Sequence, residues 1–285
     1  MALNNKQLVR QANENDLLQL NNLVQYETYV HRHLDYRPPL DWINHPPFLI
    51  LEQEGEIIAT LACPPDPPEV SWIRLFVASA RHNAFGAWEL LINHALGELR
   101  ENFQPTLASA IPISKWFENF LKKNKFQETY RIVMMDWKGS KPPIMVDTSL
   151  ASIRPMTIND LPTIQEIDES SFTPIWQNSY TCLAHSFYQS SLATVIEYAE
   201  KIVGYQISMV SSVGSHLARL AVVPSFQEKG LGSALLQDLL SRLTHRGIQM
   251  LTVNTQKENL ASIALYRKAG FMLTGEELPV LICYL

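Results

Sequence analysis

Gln227-Glu228-Lys229-Gly230-Leu231-Gly232-Ser233 decides how this chain reads. A strand-like run, His216-Leu217-Ala218-Arg219-Leu220-Ala221-Val222-Val223, enters it, and a helix-like run from Ser233 to Arg246 leaves it. Two glycines one residue apart, between a strand and a helix start, let the backbone approach a diphosphate closely. Free N–H groups and the positive end of the helix dipole then hold the negative charge. A Cβ at either position would collide with the phosphates or forbid the tight turn. Taken alone, the pair also reads as an ordinary strand-to-helix turn with two incidental glycines, so the rest of the chain has to discriminate.

At 285 residues the chain has room for two domains of roughly 100–200 residues each. It is 46% hydrophobic and 18% charged, a composition that buries a large core. The net charge of −5 is spread evenly over both halves, with no basic patch or charged tail. Nucleic acid and anionic membrane are therefore not the expected partners. The three cysteines, Cys63, Cys182 and Cys283, lie far apart with no metal-ligand spacing, and no metal is expected. Without a signal-peptide-like amino terminus or a long apolar run, the expected location is cytoplasmic.

Lys138-Gly139-Ser140-Lys141-Pro142-Pro143 breaks regular structure and reads as a linker spanning 139–150. The chain repeats itself on either side. Leu8-Val9-Arg10-Gln11-Ala12-Asn13-Glu14-Asn15-Asp16-Leu17 resembles Ser152-Ile153-Arg154-Pro155-Met156-Thr157-Ile158-Asn159-Asp160-Leu161, a strand, a polar cap and a helix start. Glu54-Gly55-Glu56 and Ala199-Glu200-Lys201 both read as turns entering strands. A constant shift of 145 places Arg74-Leu75 on Arg219-Leu220, Leu90-Leu91 on Leu235-Leu236 and Phe126 on Phe271. So long a period means duplicated domains. In the second copy the patterns predict strands near 152–155, 192–199, 201–210, 216–223, 249–255 and 278–284. Helices are predicted near 159–170, 176–190, 231–246 and 259–269. Strands in a row followed by alternating strand and helix imply a mixed α/β sheet.

Over about 150–285 the second copy resembles the GNAT superfamily of acyl-CoA-dependent N-acyltransferases. One block is Leu220-Ala221-Val222-Val223-Pro224 followed by Gln227-Glu228-Lys229-Gly230-Leu231-Gly232. The other is Asn259-Leu260-Ala261-Ser262-Ile263-Ala264-Leu265-Tyr266-Arg267-Lys268-Ala269-Gly270-Phe271, which departs from the usual pattern only at Ser262. The resemblance implies an α/β (α+β) fold of two tandem GNAT-like domains, each a mixed, mostly antiparallel sheet flanked by helices. It further implies acetyl-CoA as cosubstrate and an amine acceptor, which the sequence does not identify, in a monomer or homodimer. Gln227 to Ser233 would line the pyrophosphate. Leu220, Ala221 and Val222 would offer main-chain groups to the pantetheine arm, as a sheet edge accepts an added strand. Asn259 would lie along the coenzyme, and Lys229 would add a mobile positive charge.

Acyl transfer to an amine needs a proton acceptor, oxyanion stabilisation and a proton for the departing thiolate. Tyr266 matches the tyrosine that the family places near the sulfur and is the candidate acid; packing on its helix is its alternative role. His216 stands where some members carry a basic or acidic strand residue, and a turn histidine is the competing reading. Where other members have glutamate this chain has Asn254, suited to holding a water. His185, Glu197, Ser211, Ser212 and Ser215 are weaker candidates. The aromatic cluster Phe172, Trp176, Tyr180, His185, Phe187 and Tyr188 is expected to wall the acceptor cleft.

In the first copy, Phe85 and Ala87 replace the two glycines, His82 replaces Gln227, Leu121 replaces Tyr266 and Ser114 replaces Asn259. The expectation is a degenerate domain, 1–138, without a coenzyme site, beside an active domain at 151–285. A non-catalytic acyl-CoA-binding or interaction module is the alternative, separable from an enzyme by turnover. The loop lacks the Gly-Lys-Ser/Thr ending of a P-loop, which disfavours a nucleotide-phosphate enzyme.

Overall fold

The computed structural model describes residues 7–139, 151–211 and 214–285. Packing divides the chain into two compact units, Met1–Thr129 with Pro279–Leu285, and Tyr130–Leu278. The division expected at 138 and 151 is thus displaced. The strand that ends the first half runs on past Thr129 into the second unit, and the chain's last residues belong to the first. Residues 140–150 of the expected linker lie outside the described residues.

The first unit opens with β1 (Gln7–Gln11), α1 (Leu17–Tyr26), β2 (Tyr29–Arg32), β3 (Phe48–Gln53) and β4 (Glu56–Ala62). It continues with β5 (Val70–Trp72), β6 (Leu75–Ala78), α2 (Ala84–Glu98), β7 (Leu107–Ala110) and α3 (Lys115–Lys123). One antiparallel sheet runs β1-β3-β4-β6-β2. The run Phe48-Leu49-Ile50-Leu51 is apolar throughout because this sheet is covered on both faces. Leu49 and Leu51 meet the α2 core around Trp88, while Phe48 and Ile50 meet Leu20 and Trp42 on the other side.

The second unit begins within β8 (Gln127–Lys138). It continues with β9 (Ala151–Pro155), α4 (Leu161–Ser171), α5 (Tyr180–Gln189), β10 (Leu192–Tyr198), β11 (Lys201–Ser211) and β12 (Gly214–Val222). Then come α6 (Leu231–His245), β13 (Met250–Gln256), α7 (Leu260–Lys268) and β14 (Met272–Tyr284), whose end pairs with β7 inside the first unit. The sheet of the second unit runs β8-β13-β12-β11-β10-β9, antiparallel except for the β12–β13 pair. Leu236, Leu239, Leu240 and Leu243 of α6 bury one helix stripe against Leu217, Leu251 and Val253. Each such side chain contributes about 1.5–3 kcal/mol when fully buried.

The duplication reaches fine detail. Arg10 clamps Asp16 at 2.8 Å through both terminal guanidinium nitrogens and reaches Glu52 through Nε at 3.1 Å. Arg154 does the same to Asp160, at 2.8 and 2.9 Å, and reaches Glu197 at 2.8 Å. Both units carry a bulge at the same point, Leu51/Glu52 and Ile196/Glu197. Both hairpins that follow turn through two left-handed residues, Glu54-Gly55 and Ala199-Glu200.

Two predicted elements end elsewhere. The helix expected at 176–190 starts only at Tyr180, because Ser179 caps it by accepting from the Cys182 N–H at 3.1 Å. Pro174 and Trp176 form a short 3-10 turn instead. The strand expected from 278 begins at Met272. The added stretch includes Glu277, which is held by Lys257 at 2.7 Å and Arg131 at 3.4 Å.

Candidate active site

Strands β12 and β13 share a ladder only over Ser215–Leu217 and Leu251–Val253, and then part. A bulge lies at the parting point. Ile207 opposes Arg219 and Ser208 opposes Leu217, so Ala218 has no partner on β11. The extra residue bends and twists β12 away from its parallel neighbour. Leu220, Ala221 and Val222 keep their pairing to β11, while their other edge has no β13 partner. The result is a wedge lined by main-chain groups.

The loop after β12 is fastened to the strand end, where Gln227 Nε2 donates to the Val222 carbonyl at 2.8 Å. Glu228 is left-handed at φ 61°, and Gly230 follows at φ 82°, ψ −5° as the residue before α6. The first helical hydrogen bond runs from the Ala234 N–H to the Gly230 carbonyl at 2.9 Å, and no side chain among the described residues caps the helix. The N–H groups of Leu231, Gly232 and Ser233 therefore precede the ladder and carry the positive end of the dipole. The two glycines differ in kind. A Cβ on Gly232 would meet Leu265 at 3.6 Å and Leu220 and Val222 at 3.9 Å, all ordinary contacts, so only Gly230 is demanded by the turn itself. Lys229, expected to be mobile, donates to the Ser225 carbonyl at 2.9 Å and lies over the Phe226 ring at 4.6 Å.

Tyr266 on α7 is 5% exposed and packs on Phe271 with ring centroids 5.5 Å apart. Burial raises its pKa above the ordinary tyrosine value, while the Arg219 charge works the other way. Asn259 caps α7 by accepting from the Ser262 N–H at 3.0 Å, and its amide reaches Gln256 at 3.3 Å. His216 and Thr252 face each other across the last stretch of ladder, with Nδ1 2.9 Å from the threonine oxygen. Burial lowers the His216 pKa from its usual value, so the ring is neutral at neutral pH. Two residues along β13, the buried Oδ1 of Asn254 has no hydrogen-bond partner among the described residues.

The weaker base candidates are engaged elsewhere or apart from this group. Glu197 is bound by Arg154, Ser215 donates to the Met250 carbonyl and His185 lies on α5. Ser211 lies at the exposed end of β11, and Ser212 lies outside the described residues. Of the aromatic cluster, Phe172 stacks under the Arg219 guanidinium at 3.6 Å and Trp176 packs on Tyr130 at 5.7 Å. Tyr180 and Tyr188 are exposed.

Sequence reasoning missed one buried network. Asp168, fully buried, accepts from Arg219 twice, from the Asn178 N–H at 2.8 Å and from the Tyr205 hydroxyl. Arg219 also donates to the Trp176 carbonyl at 2.6 Å. A signal existed, because Asp168 continues the apolar stripe Leu161, Ile164 at helical spacing and so places a charge at a core position.

The corresponding helix start in the first unit is built differently. Asn83 caps α2 by accepting from the Gly86 N–H at 3.0 Å, Phe85 packs on Phe120, and Lys123 lies over the Phe85 ring at 4.5 Å. Leu121, at the position of Tyr266, is core.

Residues 161–271 match the model of the acetyltransferase (GNAT) family. The chain is 30% identical over 120 residues to the ribosomal protein bS18-alanine N-acetyltransferase of Escherichia coli (strain K12), a span of 42% of this chain and 80% of the relative. Solved structures resemble it along nearly its whole length, and two of them serve as examples. A tandem GNAT protein from the clavulanic acid biosynthesis pathway superposes with a TM-score of 0.65 at 12% identity, covering 98% of each chain. A GCN5-related N-acetyltransferase from Sphaerobacter thermophilus gives 0.61 at 14% identity, covering 99% of this chain and 97% of its own. At such identities these two likenesses concern the fold. The chain belongs to the acetyltransferase (GNAT) family, and it is an acyltransferase built from two tandem units of that fold.

Proposed function

We propose that the second unit transfers an acetyl group from acetyl-CoA to a primary amine by direct attack in a ternary complex. The observation that carries this reading is the uncapped start of α6, turned by Gly230 and placed at the end of the strand that borders the wedge. Its N–H groups suit the coenzyme pyrophosphate. The open edge of Leu220, Ala221 and Val222 suits the amide-bearing pantetheine arm. Gln227, Glu228 and Asn259 shape the two loops, and Lys229 puts a positive charge on the same turn. No disulfide joins Cys63, Cys182 or Cys283 among the described residues, which fits a reducing, cytoplasmic setting.

In the reaction the amine nitrogen bonds to the thioester carbonyl carbon and gives its proton to neutral His216. N–H groups near Ala221 and Val222 stabilise the oxyanion. The C–S bond then breaks, and the Tyr266 hydroxyl supplies the thiolate proton, a transfer that the Arg219 charge favours and burial opposes. Solvent returns the proton balance between the two side chains. The α-amine of a peptide is the first acceptor to test, since the Escherichia coli relative is named for alanine acetylation. An α-amino pKa of about 7.7–8.0 also leaves roughly a tenth of it neutral at pH 7, far more than a lysine amine of pKa about 10.4. The first unit, whose helix start is capped by Asn83 and flanked by Phe85, carries no coenzyme site on this reading.

Calorimetry with acetyl-CoA, followed by mass spectrometry of peptides carrying different amino-terminal residues, tests the proposal. One binding event per chain and a 42 Da gain on the peptide amine (the mass of an acetyl group replacing hydrogen, about 42 Da) are expected. No heat at millimolar coenzyme would sink it.

A further inference from the structure

The ladder between β12 and β13 sets His216 directly beside Thr252 at the penultimate pair before the strands part. Thr252 Oγ1 makes two contacts. It donates to the Ser215 carbonyl at 3.2 Å, and His216 Nδ1 lies 2.9 Å from it. A hydroxyl has one proton and two lone pairs. With that proton on a carbonyl, which only accepts, the remaining role of Oγ1 toward the ring is to accept. On that hydrogen-bond pattern Nδ1 carries the imidazole proton, and the lone pair falls on Nε2. Nε2 has no hydrogen-bond partner among the described residues.

The two faces of β13 explain why the arrangement holds still. Leu251 and Val253 are buried against α6, which fixes the strand's rotation and turns Thr252 to the opposite face. Leu217 does the same for His216 on β12. Both side chains are therefore presented by backbone that packing has already immobilised. Threonine is β-branched, so its χ1 is also restricted.

We infer that Thr252 is a positioning residue that fixes His216 in the Nδ1–H tautomer, leaving Nε2 as the acceptor of the proton released by the attacking amine. This rests on the acetyl-transfer reading above, but the tautomer itself does not. The proton passes from the amine nitrogen to Nε2 as the N–C bond forms, and Nδ1–H stays on Thr252 throughout.

Two-bond ¹⁵N–¹H correlation spectra of the histidine-labelled full chain, with His216 assigned from His216→Gln, read the tautomer without substrate. The wild type is expected to show a protonated Nδ1 and an unprotonated Nε2. Thr252→Val, which keeps the shape and removes the oxygen, is expected to lose that preference. It should also lower kcat roughly 10-fold with the KM for acetyl-CoA unchanged, within the range of general-base effects. Thr252→Ser should restore both. An Nε2–H tautomer in the wild type overturns the inference, whatever the variants do. So does a Thr252→Val protein whose tautomer shifts while kcat stays put. A correct tautomer in a chain that acetylates no amine sinks the functional reading and leaves the threonine's hold on the ring intact.

Discussion

Arg219 grips Asp168 through two hydrogen bonds, Nε at 2.7 Å and Nη2 at 2.8 Å, across 51 residues of sequence. The pair ties β12, which borders the wedge, to α4. Through the Trp176 carbonyl and the Asn178 N–H it also ties down the segment between α4 and α5. The first unit holds a parallel construction, in which Arg74 donates to Asp35 at 2.7 Å and lies over the Trp42 ring at 4.7 Å. The arginine is the repeated residue, whereas each unit draws its carboxylate from a different place.

Breaking one side of such a pair strands a buried charge. Asp168→Ala is expected to destabilise the protein by about 3–5 kcal/mol, read from urea midpoints. The double change Asp168→Leu with Arg219→Met should recover part of that loss, because neither charge is then left alone. A single change that costs nothing would show that Asp168 is not what anchors α4.

The two glycines should separate stability from binding. Gly230→Ala forces a Cβ into a left-handed turn and is expected to cost about 1–2 kcal/mol as well as coenzyme affinity. Gly232→Ala meets only ordinary contacts inside a helix, so thermal stability should hold or rise slightly. Calorimetry should nonetheless show weaker acetyl-CoA binding. Unchanged affinity in Gly232→Ala would remove the backbone of that first turn from the phosphate contact.

Tyr266→Phe removes a hydroxyl whose loss strands no hydrogen-bond partner among the described residues. Stability should change by less than about 0.5 kcal/mol, and coenzyme binding should persist. A kcat reduced by roughly 100-fold is the expected result for loss of the general acid. Equal turnover would return Tyr266 to a packing role.

The acidic limb of the kcat/KM profile should report His216. Its charged form is penalised by burial, so its titration is moved below the ordinary histidine value of about 6.5. Activity is present above that lowered point and is lost as pH falls through it. His216→Gln should lose most activity together with that limb. A limb that survives the substitution belongs to another group.

His31 in the first unit offers a stability test. Burial pushes its pKa down to about 4, although its ring donates to the Ile73 carbonyl and stacks on Phe117. The unfolded chain binds this proton near pH 6.5 and the folded one does not. Stability is therefore fully present above about pH 6.5 and declines as pH falls toward 4, by on the order of 3 kcal/mol. His31→Gln should flatten that decline in hydrogen exchange of the first unit's core amides.

Much was legible because it is local. The Gly230 turn, the α6 stripe and the strand alternations depend on residues within a few positions of one another. Backbone sterics and burial on one face impose those patterns wherever they occur. The duplication was legible for the same reason, since Arg10 with Asp16 and Arg154 with Asp160 are six residues apart in each copy. The start of β14 at Met272 was not, because its Gly-Glu-Glu stretch is a strand only in the company of Arg131 and Lys257.

The sequence by itself determined the family signature, the repeated unit and the identity of the helix start that stands apart from its copy. Only the tertiary structure decided that the last residues belong to the first unit, that β12 and β13 part at Ala218, and that Thr252 meets His216. Those outcomes depend on register and on pairing between distant segments. One residue of slippage moves every side chain to the other face, so spacing along the chain holds no record of them.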